Sequence, residues 1–408
     1  MSDSVEFIVV PADGGVTCPE GFTSSALHAG IKKSGALDMM LLACDASVPA
    51  AGLFTTNLAR AAPVLVSREH LERTSGHARA IVTNSGCANA CTGTDGFEHA
   101  RLMTSEAAAA LACRPEDVLV ASTGVIGVKL DITKVLPGIR TAAAALARGH
   151  GADAARAIMT TDPFPKSCAV TVTTPAGAFR VGGTAKGSGM IEPDMATMLG
   201  YLTTDADVPP AMLDRALRAS ARDTFNAITV DGECSTNDSL FAMASGASGV
   251  RIDDALYPAL LAGLRHVSRD LALGIVRGGE GATKLVAVTA TGAASDDDAR
   301  RVARTIANSL LVKTAIHGAD PNWGRIVASA GRSGVRFDLG SVTVRVGDVV
   351  LFEDGLPHDE RAEEAEALLR QESIAIAIDI GTGGAGTATI WTCDLSAEYV
   401  RINGEYRT

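Results

Sequence analysis

Residues 186–201 read KGSGMIEPDMATMLGY and place one hydroxyl, that of Thr197, behind a run of small or turn-forming residues. An internal threonine is a weak nucleophile because nothing beside it takes its proton. Freed as a chain terminus it carries its own base, since an α-amine titrates near ~8 and is partly neutral at pH 7. Cleavage between Ala196 and Thr197 would supply both groups, and the small residues before it suit a strained loop in which the hydroxyl reaches the Ala196 carbonyl. The same residues also read as a glycine-rich loop entering a strand, TMLGYLTT, and local features alone leave both readings open.

A nucleophile of this kind needs a place for the oxyanion. In ASTGVIG (121–127) a strand ends at Thr123 and Gly124, where freed backbone amides and a hydroxyl can face a developing negative charge. Many strands end this way, so the pair has meaning only beside a nucleophile. No G-x-S-x-G elbow is present, and the GSG at 187–189 lacks the flanking strand and helix. GGEGATK (278–284) lacks the spacing of a phosphate loop, and Glu280 reads there as an exposed turn residue. GTGGAG (381–386) matches G-x-G-x-x-G but runs into the β-type stretch TATIWTCDL, which suggests a glycine-rich hairpin in place of a dinucleotide site. HGADPNWGRIVASAG (317–331) reads as a polar turn feeding a helix. Cys87 and Cys91 in NSGCANACTG lack a histidine pair to complete a tetrahedral site, so no metal is expected.

The elements that must position these residues alternate. Short apolar or alternating runs at 37–44, 62–67, 78–84 and 118–122 are interleaved with helical stretches at 97–112 and near 131–148. CAVTVTTPAGAFRVGGT (168–184) has two alternating runs about a Pro-Ala-Gly turn, an antiparallel hairpin that argues against a purely parallel sheet. The expected class is α/β of the α+β type, with mixed, largely antiparallel sheets layered with helices. Ser295 and Asp298 form a capping box, after which Val302, Ala303, Ile306, Ala307 and Leu310 keep helical spacing. The expected organisation is a main domain at 1–294, a second α/β domain at 295–394 and a C-terminal tail at 395–408.

Composition bounds the function. The chain of 408 residues is too long for a single core. A net charge of -11 with 4% aromatics and no basic run argues against nucleic acid. No apolar run approaches the ~20 residues of a membrane span, the N-terminus lacks a signal pattern, and eight scattered cysteines suit reduced thiols, so a cytoplasmic protein is expected.

Six segments carry a resemblance: KGSGMIEPDMATMLGYLTTDA (186–206), FNAITVDGECSTNDS (225–239), GIKKSGALDMMLL (30–42), NSGCANACTG (84–93), HGADPNWGRI (317–326) and the ending YVRINGEYRT. Together they resemble the ornithine acetyltransferase family of arginine biosynthesis over nearly the whole chain. The resemblance implies self-cleavage before Thr197 into an α chain of residues 1–196 and a β chain of 197–408 that stay associated, in a heterotetramer of two α and two β chains. It further implies Thr197 as nucleophile, Thr123 with Gly124 as oxyanion hole, and substrate contacts from Thr160, Lys186, Thr197, Glu280, Asn403 and Thr408. The implied reaction moves an acetyl group from N-acetylornithine to glutamate through an acetyl-Thr197 ester without a cofactor, with acetyl-CoA as a further candidate donor. Lys186 would then pair with a substrate carboxylate and Glu280 with the ornithine ammonium. Use of Asn403 and Thr408 implies a tail that returns to the site. Asp194 and the pair Glu233-Cys234 depart from the family pattern, and the extra carboxylate beside the cleavage loop bears on processing rate. The competing reading is an N-terminal-nucleophile amidase or aminopeptidase, with water as acceptor.

Overall fold

The computed structural model describes residues 6–192 and 198–405. Ala196, Thr197 and Thr408 therefore lie outside the described residues, as does Asp194. The chain divides into two compact units, the first built from residues up to Asn226 and from Cys234–Ile275, the second from Ala227–Glu233 and from Val276 onward.

In the first unit nine strands, β1 (Ile8–Ala12), β2 (Phe22–Leu27), β3 (Met39–Phe54), β4 (His77–Cys87), β5 (Val118–Val125), β6 (Lys166–Thr174), β7 (Gly177–Lys186), β8 (Leu199–Thr204) and β9 (Ser239–Ala244), are linked by hydrogen bonds. Their order is β1-β6-β7-β8-β9-β3-β4-β5, with β2 also on β3. The pairs β8–β9 and β4–β5 are parallel and the others antiparallel. The hairpin expected at 168–184 is β6–β7, in register from Lys166↔Ala185 to Thr174↔Gly177.

The long β3 explains how one hydrogen-bonded path makes two layers. Its register breaks between Ala43 and Val48; before the break it pairs with β2 and β4, and after it Ala50–Phe54 pair with β9. Side chains alternate across a strand. Met40 and Leu42 therefore point into a core shared with Tyr201, Phe241 and Met243, whereas Met39, Leu41 and Ala43 face Met103, Val135 and Ile139 of covering helices. Those helices are Gly93–Leu111 and Ile132–Ala144. On the β7 half the covering helix is Tyr257–Arg277; a Cβ on Gly183 would stand 2.8 Å from the Val267 side chain, so glycine is what lets that helix lie close. The layers run helix, sheet, sheet, helix, a mixed α/β architecture as expected.

The apolar run at 62–67 is not a strand. It opens the helix Ala62–Arg73, whose second residue is Pro63, a position where the missing N–H costs nothing. The helix expected near 131–148 ends at Ala144, and a separate helix follows at Gly151–Ala157.

In the second unit β10 (Leu285–Ala293), β11 (Thr343–Val346), β12 (Val349–Glu353), β13 (Leu356–Pro357), β14 (Ser373–Asp379) and β15 (Gly386–Cys393) lie in the order β13-β12-β11-β14-β10-β15. The strand β10 is thus part of this unit, which begins before the boundary at 294/295 read from sequence. The capped helix is present as Asp296–Ala307: Ser295 accepts from the Asp298 amide, and Ala299, Val302, Ala303, Ile306 and Ala307 are buried. Leu310 does not continue it; it starts the next helix, Leu310–His317, and is exposed. The glycine run at 381–386 is no hairpin either, because β14 and β15 flank β10 on opposite edges. The connection passes over the end of β10, where a Cβ on Gly384 would meet the Ala293 carbonyl at 2.0 Å.

Candidate active site

Four of the residues singled out in sequence stand in the first unit and come together at the ends of its strands. Thr123 and Gly124 close β5 against β4, where Gly86 pairs with Gly124 and Cys87 faces both Thr123 and Val125, an irregular register that leaves the ladder open. Gly124 has φ +130, and a Cβ there would stand 2.3 Å from the Gly86 carbonyl carbon. No side chain fits both demands. The strand end is held by Asn237, whose Nδ2 donates to the Ala88 and Ser122 carbonyls at 2.6 and 2.9 Å.

Lys186 ends β7, is buried, and donates from Nζ to Thr123 Oγ1 at 3.2 Å. Its register partner is Leu199, which pairs in turn with Ser239 of β9. The Ser239 amide holds the Met198 carbonyl at 3.1 Å. The residue directly after Thr197 is thereby fixed next to the strand that carries Lys186.

Thr160 reaches the same cluster through Asp162. This carboxylate accepts from the Thr160 amide at 3.0 Å, from the Gly187 amide at 2.8 Å and from Lys166 Nζ at 2.6 Å. Burial pushes its pKa up, but the charges of Lys186 and Lys166 together with these hydrogen bonds outweigh that and hold Asp162 below the usual carboxylate range. Asp238 shows the opposite balance. It is wholly buried, burial lifts its pKa well above the usual range, and Lys186 with hydrogen bonds from the Met198 amide and Ser235 only partly offsets this. Among the described residues its Oδ2 has no hydrogen-bond partner. Lys186 therefore acts on two carboxyl groups shifted in opposite directions, Asp162 below the usual carboxylate range and Asp238 above it.

The remaining two residues belong to the second unit. Glu280 is buried, not the exposed turn residue read from sequence, and accepts from Asn403 Nδ2 at 2.8 Å. Asn403 lies on the last helix, Ala397–Glu405, and its Nδ2 also donates to the Tyr399 carbonyl. Tyr399 donates to Asp231 Oδ2 at 3.2 Å, and burial raises its hydroxyl, with the neighbouring Asp231 and Glu280 carboxylates adding to the effect. The tail thus folds back on Glu280. Among the described residues no three metal-ligating side chains gather.

The sequence model of the ArgJ family matches residues 23–408. The chain belongs to the ArgJ family. Arginine biosynthesis bifunctional protein ArgJ of Chlorobaculum tepidum is 47% identical over 98% of either chain. Its counterpart in Symbiobacterium thermophilum is 48% identical over 97% of this chain and 99% of its own. An ornithine acetyltransferase from Mycobacterium tuberculosis, solved in complex with ornithine, is 37% identical with a TM-score of 0.42, covering 46% of this chain and 99% of that one. Family resemblance thus accounts for Thr123, Thr160 and Lys186, while Asp162, Lys166, Asn237 and Asp238, which hold them, were not singled out. The signal for the first two is the sequence TTDPFPK, which sets Asp162 four residues before Lys166.

Proposed function

We propose that this ArgJ-family enzyme transfers an acetyl group from N-acetylornithine to glutamate through Thr197, after cutting itself between Ala196 and Thr197. The observation that carries the reading is the meeting of Lys186 Nζ with Thr123 Oγ1 at the frayed end of β5, one strand register from Met198. A fixed ammonium beside hydroxyl and amide donors suits a carboxylate-bearing substrate whose carbonyl becomes an oxyanion. Thr197 Oγ attacks the acetyl carbonyl while its own α-amine takes the proton. The Thr123 hydroxyl and Gly124 backbone stabilise the tetrahedral oxyanion, and ornithine leaves with the returned proton. Glutamate's amine then attacks the acetyl-Thr197 ester by the same path in reverse.

Glu280, held by Asn403, takes the ornithine ammonium in this scheme, and Thr160 and Thr408 complete the substrate contacts. No cofactor is called for. Acetyl-CoA enters as a second donor that acylates the same threonine, in keeping with relatives named bifunctional. The α and β chains stay together as a heterotetramer of two of each, in the cytoplasm, which suits eight free thiols. Among the described residues no helix is long and apolar enough to cross a membrane.

Intact mass spectrometry tests the whole reading. Purified protein should appear as residues 1–196 and 197–408, and N-acetylornithine should add an acetyl group to the second chain that glutamate removes. Thr197→Ala should remain one chain. A fully active uncut chain, or hydrolysis of N-acetylornithine at full rate without glutamate, overturns it, the second in favour of an amidase.

A further inference from the structure

The loop GIKKSGALD (30–38) contributes a lysine to the active-site end of β4 that neither the chemistry above nor the family resemblance uses. Asp38, completely buried, folds this loop around itself: its carboxylate accepts from the Ala29, Ile31 and Lys32 amides at 2.6, 2.7 and 2.9 Å, and its backbone carbonyl accepts from Ser85. The loop is thereby tied to the strand next to β5. The Lys32 stem lies over Gly86, where a Cβ would meet Lys32 Cγ at 3.1 Å, and Gly86 is the residue that contacts Gly124. Lys32 and Lys186 thus approach Thr123–Gly124 from two different elements.

Their charge partners differ from that of Lys166. Lys166 has Asp162 at 2.6 Å. Among the described residues, Lys32 and Lys186 have no carboxylate within ion-pair distance; Lys32 Nζ donates to the Leu37 carbonyl at 2.7 Å, and Lys186 to Thr123. An ammonium has three donors and no acceptor, so each keeps donors for an anion. Lys186 is buried and Lys32 half-buried; a cation withdrawn from water without a counter-ion is unfavourable, and a bound carboxylate relieves that cost. Glutamate brings two carboxylates, whereas N-acetylornithine brings one.

We propose that Lys32 selects the dicarboxylic acceptor, pairing with one carboxylate of glutamate while Lys186 takes the other. This rests on the transferase reading. The groups facing Lys32 are Asp38 from its own loop, Lys186 from β7 and Asp162 from the segment before β6. Burial, the larger influence, and Lys186 pull its pKa down against Asp38 and Asp162, to about 8. Lys32 is therefore a cation below about pH 8 and loses its charge above it, so glutamate affinity should fall as pH rises through that value.

The test compares glutamate with glutamine as acceptor in wild-type enzyme, Lys32→Met and Lys32→Arg, with the ornithine burst from N-acetylornithine measured separately. Loss of a charge-assisted hydrogen bond corresponds to roughly ten- to a hundredfold in KM. Lys32→Met should raise the glutamate KM by that factor, move the glutamine KM far less, and depress the acceptor step at least ten times more than the burst; Lys32→Arg should recover part of it. In wild-type enzyme the ratio of glutamate KM to glutamine KM should climb above about pH 8, which tests the assignment without any variant. A flat ratio, or a Lys32→Met enzyme that still prefers glutamate as the wild type does, overturns it. A wild-type enzyme that gives no ornithine burst at all overturns the transferase reading instead.

Discussion

The two units hold the side chains of the candidate site by opposite means. In the first, Lys186, Asp162 and Lys166 are charged groups sunk among strands, each fixed by partners on other strands or by the ladder itself. In the second, buried Glu280 is met by Asn403 from an exposed terminal helix. A group locked by mutual charge is costly to remove, because what remains is an uncompensated ion in a dry place. A group reached by an exposed tail can be lost while its surroundings rehydrate.

That contrast fixes the order of effects. Asp162→Ala leaves Lys166 buried without its partner and unties the Thr160 and Gly187 amides, so unfolding in urea should show a loss of about 3–5 kcal/mol; a loss below about 1 kcal/mol would mean that the cluster is not locked by charge. Thr123→Ala should leave the unfolding midpoint close to wild type and lower kcat by roughly 10²- to 10³-fold, the effect of deleting one oxyanion donor. If kcat hardly changes, Thr123 only ends a strand. Asn403→Ala, in the second unit, should cost no measurable stability and raise the KM for N-acetylornithine by about three- to tenfold, the worth of an ordinary hydrogen bond, because the donor is exposed. An effect as large as that of Thr123→Ala would erase the distinction between the two units.

The smallest change is expected at Asp238, and it sharpens the contrast within the first unit. Because its folded pKa is raised, the stability Asp238 contributes is fully present below the unfolded value of about 4 and is lost as pH rises through the folded value. Asp238→Asn mimics the neutral carboxyl and keeps an oxygen for the Met198 amide. It should change stability little at pH 4 and remove part of the decline toward pH 7, in urea titrations at the two pH values. An Asn variant less stable at pH 7 than at pH 4, relative to wild type, would show that the native carboxyl is ionised.

Local periodicity made much of this fold legible. The β6–β7 hairpin and the capped helix at 296–307 follow from alternation and from Ser295, since both signals are short-range. The run at 62–67 misled because five apolar residues ahead of Ser67 fit strand and helix alike, and only Pro63 hinted at a helix start. The glycine run at 381–386 looked like a hairpin because nothing local reveals that β10 is inserted between its two strands. For the site, the motif residues Thr123 and Lys186 were readable through resemblance, but the opposite pKa shifts of Asp162 and Asp238 were not. Both shifts turn on burial and on the nearness of Lys186, which only the strand order supplies.

The strand order has a further consequence for a chain severed between residues 196 and 197. Strands β8 and β9 come after that point, yet β8 is inserted beside β7 and β9 beside β3, both of which come before it. Neither piece owns the nine-stranded sheet of the first unit whole. Two such fragments are woven together by backbone ladders along both seams, so they should resist separation by dilution or high salt and come apart only under denaturing conditions. Made separately, each would expose open strand edges and an unfinished core, the profile of an aggregating protein. For a chain cut as proposed, the single polypeptide is an assembly device: it guarantees equal amounts and correct interleaving of two pieces that could not readily find each other afterwards.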